Sequence, residues 1–181
     1  MTDNRDGQDV TDFRLREVED DDLELFFNLQ RDPEANRMAA FTAPDPEDRP
    51  AFDAHWRRIL ADPTVYVRSI ERDGAAAGNV LAYESEGIPE VSYWIDRALW
   101  GQGVATAALR LFLLEYAKRP VRARAAQDNV GSIRVLEKCG FRRIGRLSGF
   151  ANARGEEIAE YLFELGPKSR KSFNMPQSCS S

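Results

Sequence analysis

The chain reads as an α/β protein of the α+β kind, with a mixed central sheet. Three observations predict this. Short alternating or β-branched runs interleave with longer runs of helical spacing. Gly and Pro clusters separate them. One apolar strand passes through a glycine-bearing connector, YWIDRALWGQGVATAAL, straight into an apolar helix. The resulting order is strand, two helices, three strands, helix, strand, helix, two strands, which implies strand–helix crossovers in the centre of the sheet.

The elements follow in order. Phe13, Leu15 and Glu17 alternate with Arg14, Arg16 and Val18, which predicts a first strand. EDDDLELFFNLQRD has carboxylates in its first turn and Leu23, Phe26, Phe27 and Gln30 at helical spacing. Pro44, Pro46 and Pro50 mark a loop. RPAFDAHWRRILADP is a helix with Phe52, Trp56, Ile59 and Leu60 on one side, stopped near Pro63. VYVRSIERDGAAAGNVLAYE is a hairpin turning at Asp73-Gly74. A strand runs from Glu90 to Ile95 and the connector from Asp96 to Gly103. The helix Val104 to Lys118 is apolar nearly all round and so buried on most sides. VRARAA is a strand, QDNVGS a loop and SIRVLEKC a short helix with Gly140 at its end. FRRIGRL and EIAEYLFEL are the last strands.

With 181 residues, 43% hydrophobic and 30% charged, the chain suits one domain. Its expected limits are 10–166, and residues 167–181 read as a polar, flexible tail. The polar, acidic start is unlike a secretory signal, and no run has the roughly 18 apolar residues of a spanning helix. The net charge of −5 disfavours nucleic acid and suits a cationic substrate. Cys139, Cys179 and the single His55 give poor support to a disulfide framework, a zinc site or a Cys–His dyad. The expected compartment is the cytoplasm, with no metal and no membrane partner.

The connector holds the chemical signal. Gly101 and Gly103 flank Gln102 at a helix start, where unpaired N–H groups and partial positive charge favour an anion. The same glycines also suit a plain left-handed turn. A P-loop is excluded, because Val104 and Ala105 stand where Lys and Ser/Thr are needed. A dinucleotide fingerprint is excluded, because Thr106 replaces its third glycine.

These residues resemble a known family. YWIDRALWGQGVATAAL is similar to the acetyl-CoA motif of the GNAT acetyltransferases. NVGSIRVLEKCGF is similar to their next motif, and RLREVEDDDLELFFNL to their first strand and helix. Trp100, where the general loop has Gln or Arg, is the form of the branch that includes ribosomal-protein-alanine acetyltransferases. The resemblance spans roughly residues 12 to 165. It implies a mostly antiparallel sheet of six to seven strands flanked by helices, and direct transfer of acetyl from acetyl-CoA to a primary amine.

The resemblance also implies site residues. CoA would lie along Tyr93, Trp94 and Ile95 and against Trp100, Gly101, Gln102, Gly103, Val104, Ala105, Thr106, Asn129 and Ser132. Glu90 is the candidate base, or else a solvated strand-end carboxylate. Ser132 is the candidate thiolate partner, or else a helix cap. Many relatives place a Tyr in the last helix where this chain has Leu136. Cys139 reads as a packed thiol, and His55, Trp94 and Trp100 as pocket walls or packing. Arg122 and Arg124 receive no chemistry. The acceptor, a protein N-terminus or a small-molecule amine, stays open, as do monomer and homodimer. A non-catalytic acyl-CoA sensor of the same fold is the alternative.

Overall fold

The structure, a computed structural model, describes residues 13–167. The expectations for the N-terminal stretch before residue 13 and for the tail from 168 onward lie outside the described residues. Seven strands form one sheet in the order β1-β2-β3-β4-β5-β7-β6. They are β1 (Phe13–Arg16), β2 (Tyr66–Arg72), β3 (Ala75–Ser85), β4 (Ile88–Ile95), β5 (Val121–Ala126), β6 (Arg142–Ala151) and β7 (Glu156–Leu165). All neighbours are antiparallel except β4 and β5. The helices are α1 (Asp22–Arg31), α2 (Pro33–Ala39), α3 (Arg49–Ala61), α4 (Val104–Glu115) and α5 (Val130–Lys138). Among the described residues no helix is long and apolar enough to cross a membrane.

Two apolar layers cover the sheet. On one face α4 and α5 bury Leu109, Phe112 and Leu136 against Ile70, Val80, Val121 and Phe163. On the other, α1 and α3 pack Phe26, Phe27, Phe52 and Trp56 together, with Phe26 and Trp56 ring centres 4.8 Å apart. β4 sends side chains to both layers. Tyr93 packs with the α4 layer and Trp94 with the α1/α3 layer, as strand alternation requires.

Several boundaries differ from expectation. α2 falls where no helix was expected. Its signal was the pair Asp32-Pro33: Asp32 caps by accepting from the Ala35 N–H at 2.9 Å, and Pro33 fits the first turn. Pro50 sits in the first turn of α3 rather than in a loop. β4 begins at Ile88, so Glu90 lies inside the strand. α4 stops at Glu115, three residues short of Lys118, where Arg119 donates to the carbonyls of Leu113 and Tyr116 at 2.9 and 2.8 Å. β6 runs on to Ala151, paired with β7 on either side of a bulge at Ile144.

One glycine fixes where β4 lies. Gly78 of β3, opposite Ile95, has φ +154°, and a Cβ there would sit 2.0 Å from the Trp94 carbonyl oxygen. No other residue allows that approach of the two backbones.

Candidate active site

β4 and β5 share a single parallel register pair, Glu90 with Arg122. Beyond it β5 is paired to β7 through Ala126, while β4 keeps only β3. The two strands therefore separate, and a cleft of about 1430 Å³ opens over the gap. The alternation of antiparallel bonds tells which groups face it. Asp96 donates to Ala77 across β3 and β4 at 2.9 Å. By period two, Glu90, Ser92 and Trp94 also bond to β3, and Val91, Tyr93 and Ile95 turn their backbone groups to the gap. Trp100 fits this parity, since its indole N–H donates to the Ile95 carbonyl at 3.0 Å. Trp100 thus clips the connector to the end of β4, and the Ile95 carbonyl is taken.

The connector closes one end of the gap. Gly101 and Gly103 have φ of +75° and +81°, the left-handed region that costs a side-chain-bearing residue about 1–2 kcal/mol. A Cβ at either position would meet no protein atom within 4 Å. The turn needs these glycines, and the space over them is open. The first intrahelical bond of α4 runs from Ala107 to Gly103, which leaves the N–H groups of Val104, Ala105 and Thr106 ahead of it.

Of the expected CoA residues, Tyr93, Trp94, Ile95, Trp100, Gly101, Val104, Ala105, Thr106, Asn129 and Ser132 line the cleft. Gln102 and Gly103 do not. Gln102 is a correction: its N–H points to the Leu99 carbonyl at 3.4 Å, its amide donates to Ala98, and its side-chain oxygen accepts from Arg72 at 2.6 Å. The side chain braces the loop from behind.

The capping role offered as one reading of Ser132 falls to Asn129. Asn129 is the N-cap of α5, accepting from the Ser132 N–H at 3.0 Å, and its amide donates to the Met38 carbonyl. Both ends of its side chain are engaged. The Ser132 hydroxyl does no capping. It lies 2.8 Å from the Tyr93 hydroxyl, whose proton affinity burial pushes well above that of an ordinary tyrosine. Leu136, at the position where relatives carry Tyr, is fully buried in the core, and the hydroxyls near the gap come from Tyr93 and Ser132 instead.

Glu90 is not a solvated strand-end carboxylate. It is 7% exposed, accepts from the Tyr83 hydroxyl at 2.9 Å and meets Arg124 Nε at 3.1 Å. Burial first, and then the Glu90 charge, push the Tyr83 hydroxyl well up, so it remains a donor. Arg124 also reaches Glu160 of β7 at 3.5 Å. Tyr83, Arg124 and Glu160 were missed from sequence. The available signal was the alternation of VRARAA and EIAEYLFEL, which puts Arg124 and Glu160 on one face once the strands are adjacent.

Glu90 and Ser132 lie on opposite faces of β4. Glu90 shares the face of Trp94, beneath α1 and α3, whereas Ser132 meets Tyr93 on the α4 and α5 side. His55 of α3 lines the cleft. Cys139 packs at the core edge, its thiol pushed up by burial, which leaves it a poor nucleophile. Among the described residues no group of three or more His, Cys, Asp or Glu is placed to hold a metal.

This sheet, split between its two parallel strands, is that of solved N-acetyltransferases. The chain is similar to spermidine N-acetyltransferase from Vibrio cholerae, solved in complex with CoA and spermine: TM-score 0.72, 19% identity, covering 85% of this chain and 95% of that one. It is also similar to Mycobacterium smegmatis RimJ in complex with CoA-disulfide, at TM-score 0.69 and 21% identity over 92% and 85% of the two chains. These likenesses show a shared fold. The family follows from sequence: residues 12–142 match the acetyltransferase (GNAT) domain, and the chain belongs to the GNAT acetyltransferases. A curated relative, an uncharacterized N-acetyltransferase p20 of Bacillus licheniformis, is 22% identical over 169 residues, 83% of this chain and 90% of its own.

Proposed function

We propose that this acetyltransferase moves acetyl from acetyl-CoA directly onto a primary amine, on a protein N-terminus or a small molecule, with Glu90 taking the amine's proton. The observation that carries the reading is the parting of β4 from β5 above Glu90, with a glycine turn and a helix N-terminus at the far end of the gap. Acetyl-CoA supplies the activated acyl group as a thioester.

The chain's own groups fit that substrate. The N–H groups of Val104, Ala105 and Thr106, with that of Gly101, hold the pyrophosphate at the positive end of α4, on the left-handed turn that Gly103 makes possible. The gap-facing backbone of Tyr93, with the Val91 carbonyl, pairs with the pantetheine arm as an added strand would, and the Tyr93 N–H polarises the thioester carbonyl. Glu90 accepts a proton from the amine as the N–C bond forms. Ser132, oriented by Tyr93 on the opposite face, donates a hydrogen bond to the sulfur as the C–S bond breaks. A thiol of pKa about 8.5 leaves at neutral pH with no stronger acid than that. No protein nucleophile takes part.

The test is release of free CoA thiol from acetyl-CoA against a panel of polyamines, amino sugars and N-terminal peptides, with products identified by mass spectrometry. Amine-dependent thiol release with an acetylated product is the expected result. Tight acetyl-CoA binding with no release against any amine would instead make the protein a sensor.

A further inference from the structure

Glu160 is a buried carboxylate, 6% exposed, to which the proposed reaction gives no role. It stands on β7, beside β5, whose other neighbour is β4. Arg124 of β5 lies between the two outer strands. Its Nε is 3.1 Å from Glu90 Oε2 and its Nη1 3.5 Å from Glu160 Oε1. One guanidinium thus serves two buried carboxylates, and the cluster is one positive charge short.

Among the described residues no second cation bonds Glu90 or Glu160, and Arg134 and Lys138 of α5 line the cleft without bonding either. Arg122, next on the same face of β5, is paired with Glu164 at 3.2 Å. From β3, Tyr83 gives Glu90 a neutral hydroxyl. From the helical side, His55, Arg58, Asp45 and Asp48 line the shared cleft. Glu86, in the turn before β4, borders a second cavity of about 350 Å³. Glu90, Arg124 and Glu160 line both cavities. Burial pushes the Glu160 carboxyl up, with Arg124 opposing and the Glu90 charge adding to the rise.

We propose that Glu160 is a positioning residue for proton transfer: it draws Arg124 part-way off Glu90 and so keeps Glu90 able to take a proton from the acceptor amine. The proposal rests on Glu90 being the base. Its physical content is simple. A carboxylate with a guanidinium to itself is held charged and is a poor proton acceptor. A second carboxylate on the same guanidinium splits that attraction and adds a nearby negative charge, and both effects favour protonation of the first.

The prediction is a pair of opposite shifts. In the ligand-free protein, ¹³C-carboxyl NMR follows the glutamates through a pH titration, and Glu90→Gln identifies the Glu90 signal. Glu160→Gln is expected to move the Glu90 midpoint down by about one pH unit, and Arg124→Gln to move it up by a similar amount. Arg124→Lys keeps the charge and stays near wild type. Should Arg124→Gln fail to fold in thermal melts, Glu160→Gln and Arg124→Lys still decide the matter. A Glu90 midpoint that stays in place or rises in Glu160→Gln overturns the proposal. The acidic limb of the pH–rate profile, measured by thiol release with the fastest amine of the panel, separates this from the reading beneath it. A limb that moves with the Glu90 signal supports both. A limb that stays fixed while the signal moves removes Glu90 as the base, although its coupling to Glu160 stands.

Discussion

Two clusters of arginine and carboxylate lie in the same sheet and differ in how closely their charges are bonded. At the β1 edge, Arg14 and Arg16 face Glu71 and Asp22. Arg16 holds Asp22 through two bonds of 2.6 and 2.8 Å and Glu71 through a third of 2.8 Å. Arg14 grips Glu71 at both oxygens. The Glu19 N–H and the Ser69 hydroxyl complete the shell around Asp22. Glu19 stands 3.9 Å from Arg16 at the rim, and the cluster ties the start of α1 to β1 and β2. At the centre, one cation meets two anions at 3.1 and 3.5 Å, beside a cleft. A tightly bonded cluster away from the cleft fixes geometry. A looser one that lines a cavity holds the proposed general base.

Removing each cluster's main carboxylate breaks the comparison most directly. Glu90→Gln is expected to lower turnover by about 10²–10⁴-fold, the usual weight of a general base, with acetyl-CoA affinity nearly unchanged. Single-turnover rates and calorimetry read the two parts. Equal rates for both proteins would make the central cluster structural, like the edge one.

Asp22→Asn is expected to act on stability alone, costing about 3 kcal/mol in denaturant melts while leaving the rate per folded molecule intact. It carries a pH signature as well. Burial alone would push the Asp22 carboxyl up, but Arg16, the Glu19 N–H and Ser69 together hold it below the usual carboxylate range. A carboxyl depressed by folding adds stability that is full above its unfolded value of about 3.9 and is lost as pH falls through the folded one. The gap between wild type and Asp22→Asn should therefore be constant near neutrality and close in acid. A gap that persists undiminished in strong acid would show that packing, not charge, sets the value.

The glycine turn offers a contrast without side-chain charge. Gly103→Val places a β-branched residue at φ +81° and is expected to weaken acetyl-CoA at least tenfold, about 1.4 kcal/mol. Unchanged affinity in a folded variant would detach the loop from the pyrophosphate.

The smallest effects come from the start of α5, where cap and chemistry belong to different residues. Asn129→Ala should cost about 1 kcal/mol of stability and leave the chemical step alone. Ser132→Ala should do the reverse, slowing single turnover about fivefold, one ordinary hydrogen bond, with little change in melting. A Ser132→Ala protein that loses stability at an unchanged rate would remove that hydroxyl from the reaction.

Much of this was legible in the chain order of residues. The alternation of VYVRSIERDG and its partner run, the Asp73-Gly74 turn and the apolar helix after Gly103 are local signals, set by side-chain period and backbone freedom, and the structure contains each. The turn glycines and the resemblance pointed to the loop that closes one end of the cleft. Residues 33–39 received no element from the sequence, and α2 there is a short helix whose only signals were a cap and a proline. The sequence left Ser132 as either thiolate partner or cap, because Asn129, three residues earlier, competes for the same N–H, and only geometry shows which oxygen wins.

The sequence by itself determined which segments become strands and helices and where the backbone could turn left-handed, because those properties depend on neighbours a few residues away. Tertiary structure alone decided that Glu90, Arg124 and Glu160, far apart in the chain, share one buried site, and that β4 and β5 part after a single pair. Those facts depend on strand order and register, which place side chains side by side only once β5 has crossed over α4 and β7 has returned beside it.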